Sequence, residues 1–310
     1  MPIPASSQHP LCRGQALPNI QKDNAPASLL PRCQSTNETQ KWLAAGHTYT
    51  QENTMTTTLF DPVLAMTAES VDDLERTRIA GENRLRQLTR VGEDKDGGER
   101  GFGLTLEHPA VKRQAEIVAQ LQATEHTAVL ALQKAMRAHP LGPWVKAQRG
   151  IGEKQAARLL ACVGDPYWNT LHDRPRTVSE LWAYTGFDVR GGQGPRRRKG
   201  QLSNWSQDAR MRARMIAESI IKAGGPYREV YDTRKAATEG RVHVTECPQC
   251  VGSSNPGDPW RDGHRHADAL RVVSKTVLKD LWIEARRIHD ETNENQIHNE
   301  THQRFVLVAA

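Results

Sequence analysis

The chain has 310 residues, of which 37% are hydrophobic and 25% charged, a length that fits one large domain or two smaller ones. No run of about 18 apolar residues occurs, which excludes an ordinary membrane-spanning helix, and the first residues lack the apolar stretch of a secretory signal. Five cysteines are too few, and odd in number, for a disulfide framework. We therefore expect a reduced, cytoplasmic protein that has no contact with membranes.

Positive charge is concentrated in one block of the chain. Residues 1–140 contain 15 Lys/Arg and 16 Asp/Glu, residues 141–235 contain 18 and 9, and residues 236–310 contain 9 and 11. Clustered arginine is typical of a polyanion site, because a guanidinium binds phosphate in a planar, two-pronged way. The alternative is a solvated basic face that binds nothing.

Composition and periodicity divide the chain into segments, and strand signals are almost absent, so we predict an all-α fold. The predicted segments are 1–54, disordered or upstream of a genuine start at Met55; 55–104, a short helix and a Gly-rich linker; 105–140, a long helical arm; 141–235, a basic domain of short helices; 236–265, a loop with candidate zinc ligands; 266–290, a C-terminal helix; and 291–310, a tail.

The arm has the clearest helical pattern. Pro109 suits the first turn of a helix, and an apolar stripe then recurs at steps of three, four and seven residues up to position 138. Its members are Val111, Ala115, Val118, Leu121, Ala128, Leu132 and Ala135. This stripe predicts either a homodimer seam of the coiled-coil type or a helix that packs on its own domain.

Capping residues predict several other helix ends. Ser70 is a candidate N-cap for the first helix. Thr177 and Glu180 have the spacing of a capping box, and Ser206 can cap a helix that ends near Lys222.

A short sequence near position 150 combines glycines, one apolar residue and a new helix. Gly150 and Gly152 permit positive φ and close backbone approach, while Ile151 between them can fill the gap between two helices. The free amides at the start of the new helix, with Lys154 beside them, suit a phosphate. The sequence resembles the helix-hairpin-helix motif of DNA repair and recombination proteins, which binds the DNA backbone without reading bases. The alternative is a tight corner between helices that has no ligand.

A cationic loop follows, in which Pro195 and Gly200 bound four consecutive basic residues. Trp205 and Tyr227, close by in the sequence, would either stack on unpaired bases or pack in the core. The predicted DNA contacts are therefore Gly150, Ile151, Gly152, Lys154 and Arg158 of the corner, and Arg196, Arg197, Arg198 and Lys199 of the loop.

The order of elements after the corner is distinctive. It runs from Gly150–Leu160 to Gly164-Asp165-Pro166, Leu181–Phe187, the Gly/Arg-rich loop 191–200 and a helix with Arg210, Arg212 and Arg214. This order is similar to the C-terminal domain of the insertion-sequence-110 transposases and their Piv-like invertase relatives, and the resemblance covers residues 105–290.

Two departures limit what the resemblance implies. Members of that family carry an N-terminal RNase-H-like domain with four acidic residues, and the residues before the arm lack the strands of such a domain. The family's nucleophilic serine falls where this chain reads Gly186 to Gly194 without a serine. The resemblance therefore implies a DNA-binding scaffold that is non-catalytic alone. The alternatives are an active recombinase that uses a serine, with Ser203 as the candidate, and an interaction protein whose basic surface binds an acidic partner.

A pair of cysteines predicts a metal site. Two residues separate Cys247 from Cys250, and His264 and His266 follow, with His243 just upstream. Two thiolates and two imidazoles satisfy tetrahedral zinc, and four protein ligands leave no open position, so the zinc would be structural. The alternatives are reduced surface thiols and a redox dithiol.

Overall fold

A computed structural model describes residues 58–93, 97–191, 194–197, 199–247, 250, 252 and 254–309, with side chains described up to residue 295. These residues belong to one unit, Met55–Ala310. The predicted disordered segment 1–54, with the alternative start at Met55, and the predicted DNA contact Arg198 lie outside the described residues.

The described residues form eight helices and one two-stranded sheet, which confirms the all-α prediction. Trp168 pairs with Pro175 and Asn169 with Arg174 in the antiparallel sheet. In chain order the elements are α1 (Pro62–Thr89), α2 (Pro109–Ala138), α3 (Gly142–Ala147), α4 (Glu153–Val163), β1 (Trp168–Asn169), β2 (Arg174–Pro175), α5 (Val178–Tyr184), α6 (Gln207–Ala223), α7 (Pro226–Ala237) and α8 (Asp262–Ala309).

The first helix begins earlier than predicted. The side chain of Asp61 caps α1 by accepting hydrogen bonds from the amides of Val63 and Leu64. Ser70 lies inside α1, where its hydroxyl donates to the carbonyl of Met66 at 3.0 Å. The prediction of Ser70 as the N-cap is therefore wrong, because Asp61 and the proline that follows it already supply a complete start signal.

Other predicted helix ends are confirmed. The arm helix α2 has the predicted bounds, Pro109–Ala138. Thr177 and Glu180 form both hydrogen bonds of a capping box at α5, and the Ser206 side chain caps α6 by accepting from the amide of Ala209. The last helix, in contrast, continues through the predicted tail 291–310 as far as Ala309.

The arm packs within its own chain. Val111, Val118 and Leu132 of its stripe are buried, and α1 crosses α2 so closely that a β-carbon added at Gly81 would lie 3.0 Å from a methyl carbon of Val118. The stripe is thus covered by α1, which favours the intramolecular alternative.

An ion-pair network joins α1 to α4 and α6. The guanidinium of Arg158 on α4 pairs with Asp72 and Glu75 of α1, and Arg212 of α6 pairs with the other oxygen of Asp72 at 2.5 Å. The side chain of Arg158 is only 4% exposed. A buried cation is tolerated only when carboxylates pair with it, so this network fixes how α1, α4 and α6 meet.

The core centres on α8, whose buried face lies against α5, α6 and α7. This face comprises Ala269, Leu270, Val273, Val277, Leu278, Leu281 and Ala285. Farther along α8, His289 donates to the buried carboxylate of Asp165 at 2.7 Å, which also accepts from the amides of Leu59 and Trp168. Burial alone would raise the pKa of Asp165, but these hydrogen bonds lower it below its ordinary value.

Candidate nucleic-acid interface and metal centre

The corner at Gly150 has the predicted backbone. Gly150 has a φ of 91°, and Ile151, 7% exposed, belongs to the core between the helices. Gly152 is exposed and forms the N-cap of α4 without a side-chain capping bond. The corner is therefore a tight helical hairpin with the start of α4 at the surface.

The cations of this corner are already paired with carboxylates. The ammonium of Lys154 lies 3.8 Å from Glu75 and 3.7 Å from Glu125, and the buried Arg158 pairs with Asp72 and Glu75. A guanidinium held inside the fold by two carboxylates cannot reach a phosphate. The prediction that Arg158 contacts DNA is therefore wrong, and Lys154 contributes little positive potential.

The two glycines of the corner should respond differently to alanine. A β-carbon at Gly150 would lie 2.9 Å from Cα of Ile220 and 2.9 Å from Cβ of Ala223, whereas one at Gly152 would meet nothing within 4 Å. Gly150→Ala should lower the free energy of unfolding by about 1–3 kcal/mol through strain and overpacking, and Gly152→Ala by less than about 1 kcal/mol. Urea unfolding measures both changes, and equal costs would contradict this description of the corner.

The corner and the cationic loop lie at opposite ends of α6. Gly150 contacts Ile220 near the C-terminus of α6. Arg197 instead approaches the side chain of Gln207, the first residue of α6, at 3.4 Å. From Gln207 to Ile220 the helix rises about 20 Å, so the two predicted halves of the DNA site lie about 20 Å apart.

Arginines converge instead on a cleft at the N-terminal end of α6. Its volume is about 650 Å³, and among its lining residues only Glu246 and Asp268 are acidic. Its arginines come from five segments. They are Arg196 of the cationic loop, Arg210 and Arg214 of α6, Arg234 of α7, Arg241 of the segment before α8, and Arg271 of α8. Asp268 pairs with Arg234 at 2.6 Å and with Arg271 at 3.0 Å, and the six guanidiniums still outnumber the two carboxylates, so the described lining of the cleft has a net positive charge. Arg197 and Lys199 are exposed on the adjoining part of the loop.

Arg210 is half-buried at the inner side of this cleft. Its guanidinium donates to the carbonyl of Pro195 at 3.0 Å and lies 5.8 Å from the ring centres of both Phe187 and Trp205. Burial, followed by repulsion from Arg214 and Arg271, lowers the pKa of Arg210. The side chain is thus held in place by rings and a carbonyl while its charge stays available to an anion.

The two aromatic residues that the sequence offered for base stacking are engaged by protein groups. Tyr227 is buried and its hydroxyl donates to Asp280 at 2.8 Å. Trp205 packs so closely on Gly186 that a β-carbon there would lie 2.5 Å from the indole. Both residues therefore have the packing role that the sequence left as an alternative to base stacking.

Ser203 has no activating contact among its hydrogen bonds in the described part of the chain. Its hydroxyl oxygen accepts from the side-chain amide of Gln207 at 3.1 Å. An amide cannot take up the serine proton, so this contact supplies no general base. The geometry gives no support to the recombinase alternative.

The loop before α8 brings four metal-ligating side chains together. A short antiparallel bridge pairs Val242 with Pro259, and the amide of Cys250 donates to the carbonyl of Cys247 at 3.2 Å. These contacts position His243, Cys247 and Cys250 opposite the first turn of α8. The ligand atoms of His243, Cys247, Cys250 and His264 all lie within 4.8 Å of one another.

The distances and burial of this cluster fit tetrahedral zinc. The Nδ1 atom of His264 lies 3.8 Å from the sulfur of Cys247 and 3.4 Å from that of Cys250, close to the roughly 3.3–3.8 Å between ligands that ordinary zinc–ligand bonds imply. His243 is 4% exposed, and its Nε2 atom has no hydrogen-bond partner among the residues that the structure describes. A buried polar nitrogen without a partner is costly, and a metal ion would satisfy it.

His266 is not part of this cluster, so its prediction as a ligand is wrong. Its Nδ1 atom lies 2.8 Å from the hydroxyl of Tyr231. His264 and His266 are two apart in the first turns of α8, and a step of two places side chains on different sides of a helix. The fourth member of the cluster is His243, which the bridge between Val242 and Pro259 brings to the cysteines.

Burial affects the protonation of the cluster. It lowers the pKa of His264, and the nearby His243 lowers it further, so the imidazole is neutral and able to bind a metal at neutral pH. Burial raises the pKa of the Cys250 thiol. Both cysteines are buried, which does not fit the alternative of surface thiols.

The metal loop also forms one wall of the arginine cleft. Arg241, His243, Cys247 and His264 all line it. The ring of Trp260 stacks on His264 at 4.0 Å, and the guanidinium of Arg241 lies over the indole at 5.1 Å. The position of Arg241 in the cleft therefore depends on the order of this loop.

No protein-family model matches the chain, and no curated protein or solved structure does so either. The resemblance to insertion-sequence transposases therefore stays a prediction drawn from the residues quoted above. None of the described helices has the length and apolar character that crossing a lipid bilayer requires.

Proposed function

We propose that this protein binds the phosphate backbone of DNA in the arginine cleft. The observation that carries the proposal is the convergence of six arginines from five segments on one cleft that has only two acidic lining residues. Asp268 offsets the charges of Arg234 and Arg271, but the arginines of the cleft still outnumber its carboxylates, and a bound anion would offset their mutual repulsion. DNA binding is also what the resemblance of the corner and the loop implies.

The arrangement favours binding to the phosphate backbone over recognition of the bases. Arg196, Arg214 and Arg241 are exposed at the cleft, and guanidiniums bind phosphate oxygens in any base sequence. Binding of this kind depends on the number of phosphates contacted and not on the bases. We therefore expect similar affinities for DNA molecules of different sequence and equal length.

A zinc ion bound by His243, Cys247, Cys250 and His264 completes the proposed site. Its role is structural, because four protein ligands leave no position for substrate or water. When bound, the metal would link the loop that carries Arg241 to His264 in the first turn of α8. Zinc therefore supports the cleft without taking part in any reaction.

Two double variants with the same change of charge test where DNA binds. Arg214→Gln with Arg241→Gln removes two exposed arginines of the cleft, whereas Arg137→Gln with Arg149→Gln removes two exposed arginines near the corner. We expect the cleft variant to bind a mixed-sequence DNA oligonucleotide at least about 10-fold more weakly, since hydrogen bonds to charged groups contribute about 1.5–3 kcal/mol each. The corner variant should bind within about twofold of the wild type.

Fluorescence anisotropy of the labelled oligonucleotide with the full chain measures these affinities. The full chain is needed because α1 supplies Asp72 and Glu75 to the buried network. Equal weakening by both variants would show non-specific attraction to overall charge. Loss of binding in the corner variant alone would place the DNA at the helical hairpin and overturn the assignment to the cleft.

A further inference from the structure

The cleft combines exposed and half-buried arginines, and this difference bears on which form of DNA it accepts. Arg214 and Arg241 are exposed at its rim. Arg210 and Arg271 are half-buried on its inner side, where Arg271 also donates to Asp268 at 3.0 Å. A ligand must enter the cleft to reach the two inner arginines.

The dimensions of the cleft restrict what can enter. The cleft has a volume of about 650 Å³. A DNA duplex carries two backbones separated by grooves about 12 and 6 Å wide, so we expect a duplex to contact the rim and not to fill the cleft. One unpaired strand, with a single sugar-phosphate backbone, is narrow enough to reach Arg210 and Arg271.

The walls of the cleft also suit an unpaired nucleotide. Val189, Val242 and Val244 line it, and their side chains are 45%, 48% and 87% exposed. A duplex presents phosphates and sugars on its outside and keeps its base faces stacked. An unpaired base exposes an apolar face that these valines could cover, beside guanidiniums that hold its phosphate.

We infer that the cleft binds an unpaired DNA strand, with the inner arginines Arg210 and Arg271 on its phosphates and the exposed valines against its bases. This inference rests on the proposed function, because it names the form of DNA that the same cleft takes. It separates the roles of the arginines. The rim arginines Arg214 and Arg241 contribute to the binding of any DNA. The inner arginines Arg210 and Arg271 contribute only when the strand is unpaired.

The test compares a single-stranded oligonucleotide with a duplex of the same sequence, using the full chain and anisotropy at one salt concentration. We expect the single strand to bind at least about 10-fold more tightly. Arg210→Gln and Arg271→Gln, each made singly, should weaken single-strand binding about 10-fold and leave duplex binding unchanged. Arg214→Gln should weaken both. Arg210→Lys keeps the charge and should retain most of the single-strand affinity, and thermal unfolding of each variant confirms that it is folded.

The outcomes separate the inference from the proposed function. Equal affinity for both DNA forms, or tighter binding of the duplex, with no effect of the inner variants, would overturn the inference and leave DNA binding at the rim intact. Weakening of duplex binding by Arg210→Gln and Arg271→Gln would also overturn it. Absence of binding to either form would overturn both.

Discussion

His243→Ala is expected to reduce bound zinc from about one ion per chain to near zero, whereas His266→Ala should leave the zinc content unchanged. His243 offers a buried Nε2 atom that has no hydrogen-bond partner in the described part of the chain, while His266 is engaged with Tyr231. Structural zinc binds tightly because ordering the site and binding the metal are one event. Metal analysis of protein purified without chelator measures both variants.

Loss of the metal should also lower stability. A ligand that binds only the folded state contributes about 2.7 kcal/mol at 100 times its dissociation constant and about 4.1 kcal/mol at 1,000 times. We therefore expect a zinc chelator to lower the free energy of unfolding of the wild type by at least about 3 kcal/mol and to leave that of His243→Ala unchanged. Wild-type protein with less than about 0.2 zinc per chain would contradict the zinc site, since such sites fill at low metal concentrations.

Arg158→Ala should destabilise the fold more than any change to an exposed arginine. The substitution leaves Asp72 and Glu75 without their shared buried partner, and breaking a buried ion pair costs about 3–5 kcal/mol. Arg76→Ala is the control on α1, the helix that carries Asp72 and Glu75, because Arg76 pairs with Asp73 while 76% exposed, and exposed pairs contribute less than about 1 kcal/mol. Chemical unfolding of both variants gives the comparison.

The effect of Arg158→Ala should depend on pH. Burial acts to raise the pKa of Glu75, but Arg158 and Lys154 outweigh it and hold that pKa below its ordinary value. The stabilisation from this pair is then present above the ordinary pKa of glutamate, about 4.3, and is lost as the pH falls through the lower folded value. The difference in stability between the wild type and the variant should narrow in acid, and a difference that is constant with pH would contradict the role of Glu75.

Local signals in the sequence were sufficient for several parts of the fold. The bounds of α2, the capping box of Thr177 and Glu180, and the cap at Ser206 all follow from residues within a few positions of one another. The glycine corner is of the same kind, because Gly150 is required by a positive φ and close contact with α6. Such features depend on short-range geometry, which the sequence expresses directly.

Contacts between distant segments could not be predicted in this way. Arg158 looked like a phosphate ligand beside the corner, but α1 covers it with Asp72 and Glu75, more than 80 residues earlier in the chain. The sequence places His243 close to the cysteines along the chain, but only the bridge between Val242 and Pro259 shows that His243 faces them. A count of charges identified the basic block but not Arg241 and Arg271, which lie outside it and complete the cleft.

The salt dependence of DNA binding tests most directly whether the cleft arginines are phosphate ligands. The association constant of the full chain for an oligonucleotide should fall steeply from about 50 to about 200 mM salt, with a log–log slope near −0.7 per phosphate contacted on a single strand and −0.9 on a duplex. Arg214→Gln with Arg241→Gln should make that slope shallower by roughly 1.5–2. An affinity independent of salt, or a slope that the double variant leaves unchanged, would contradict the assignment of the cleft to the DNA backbone.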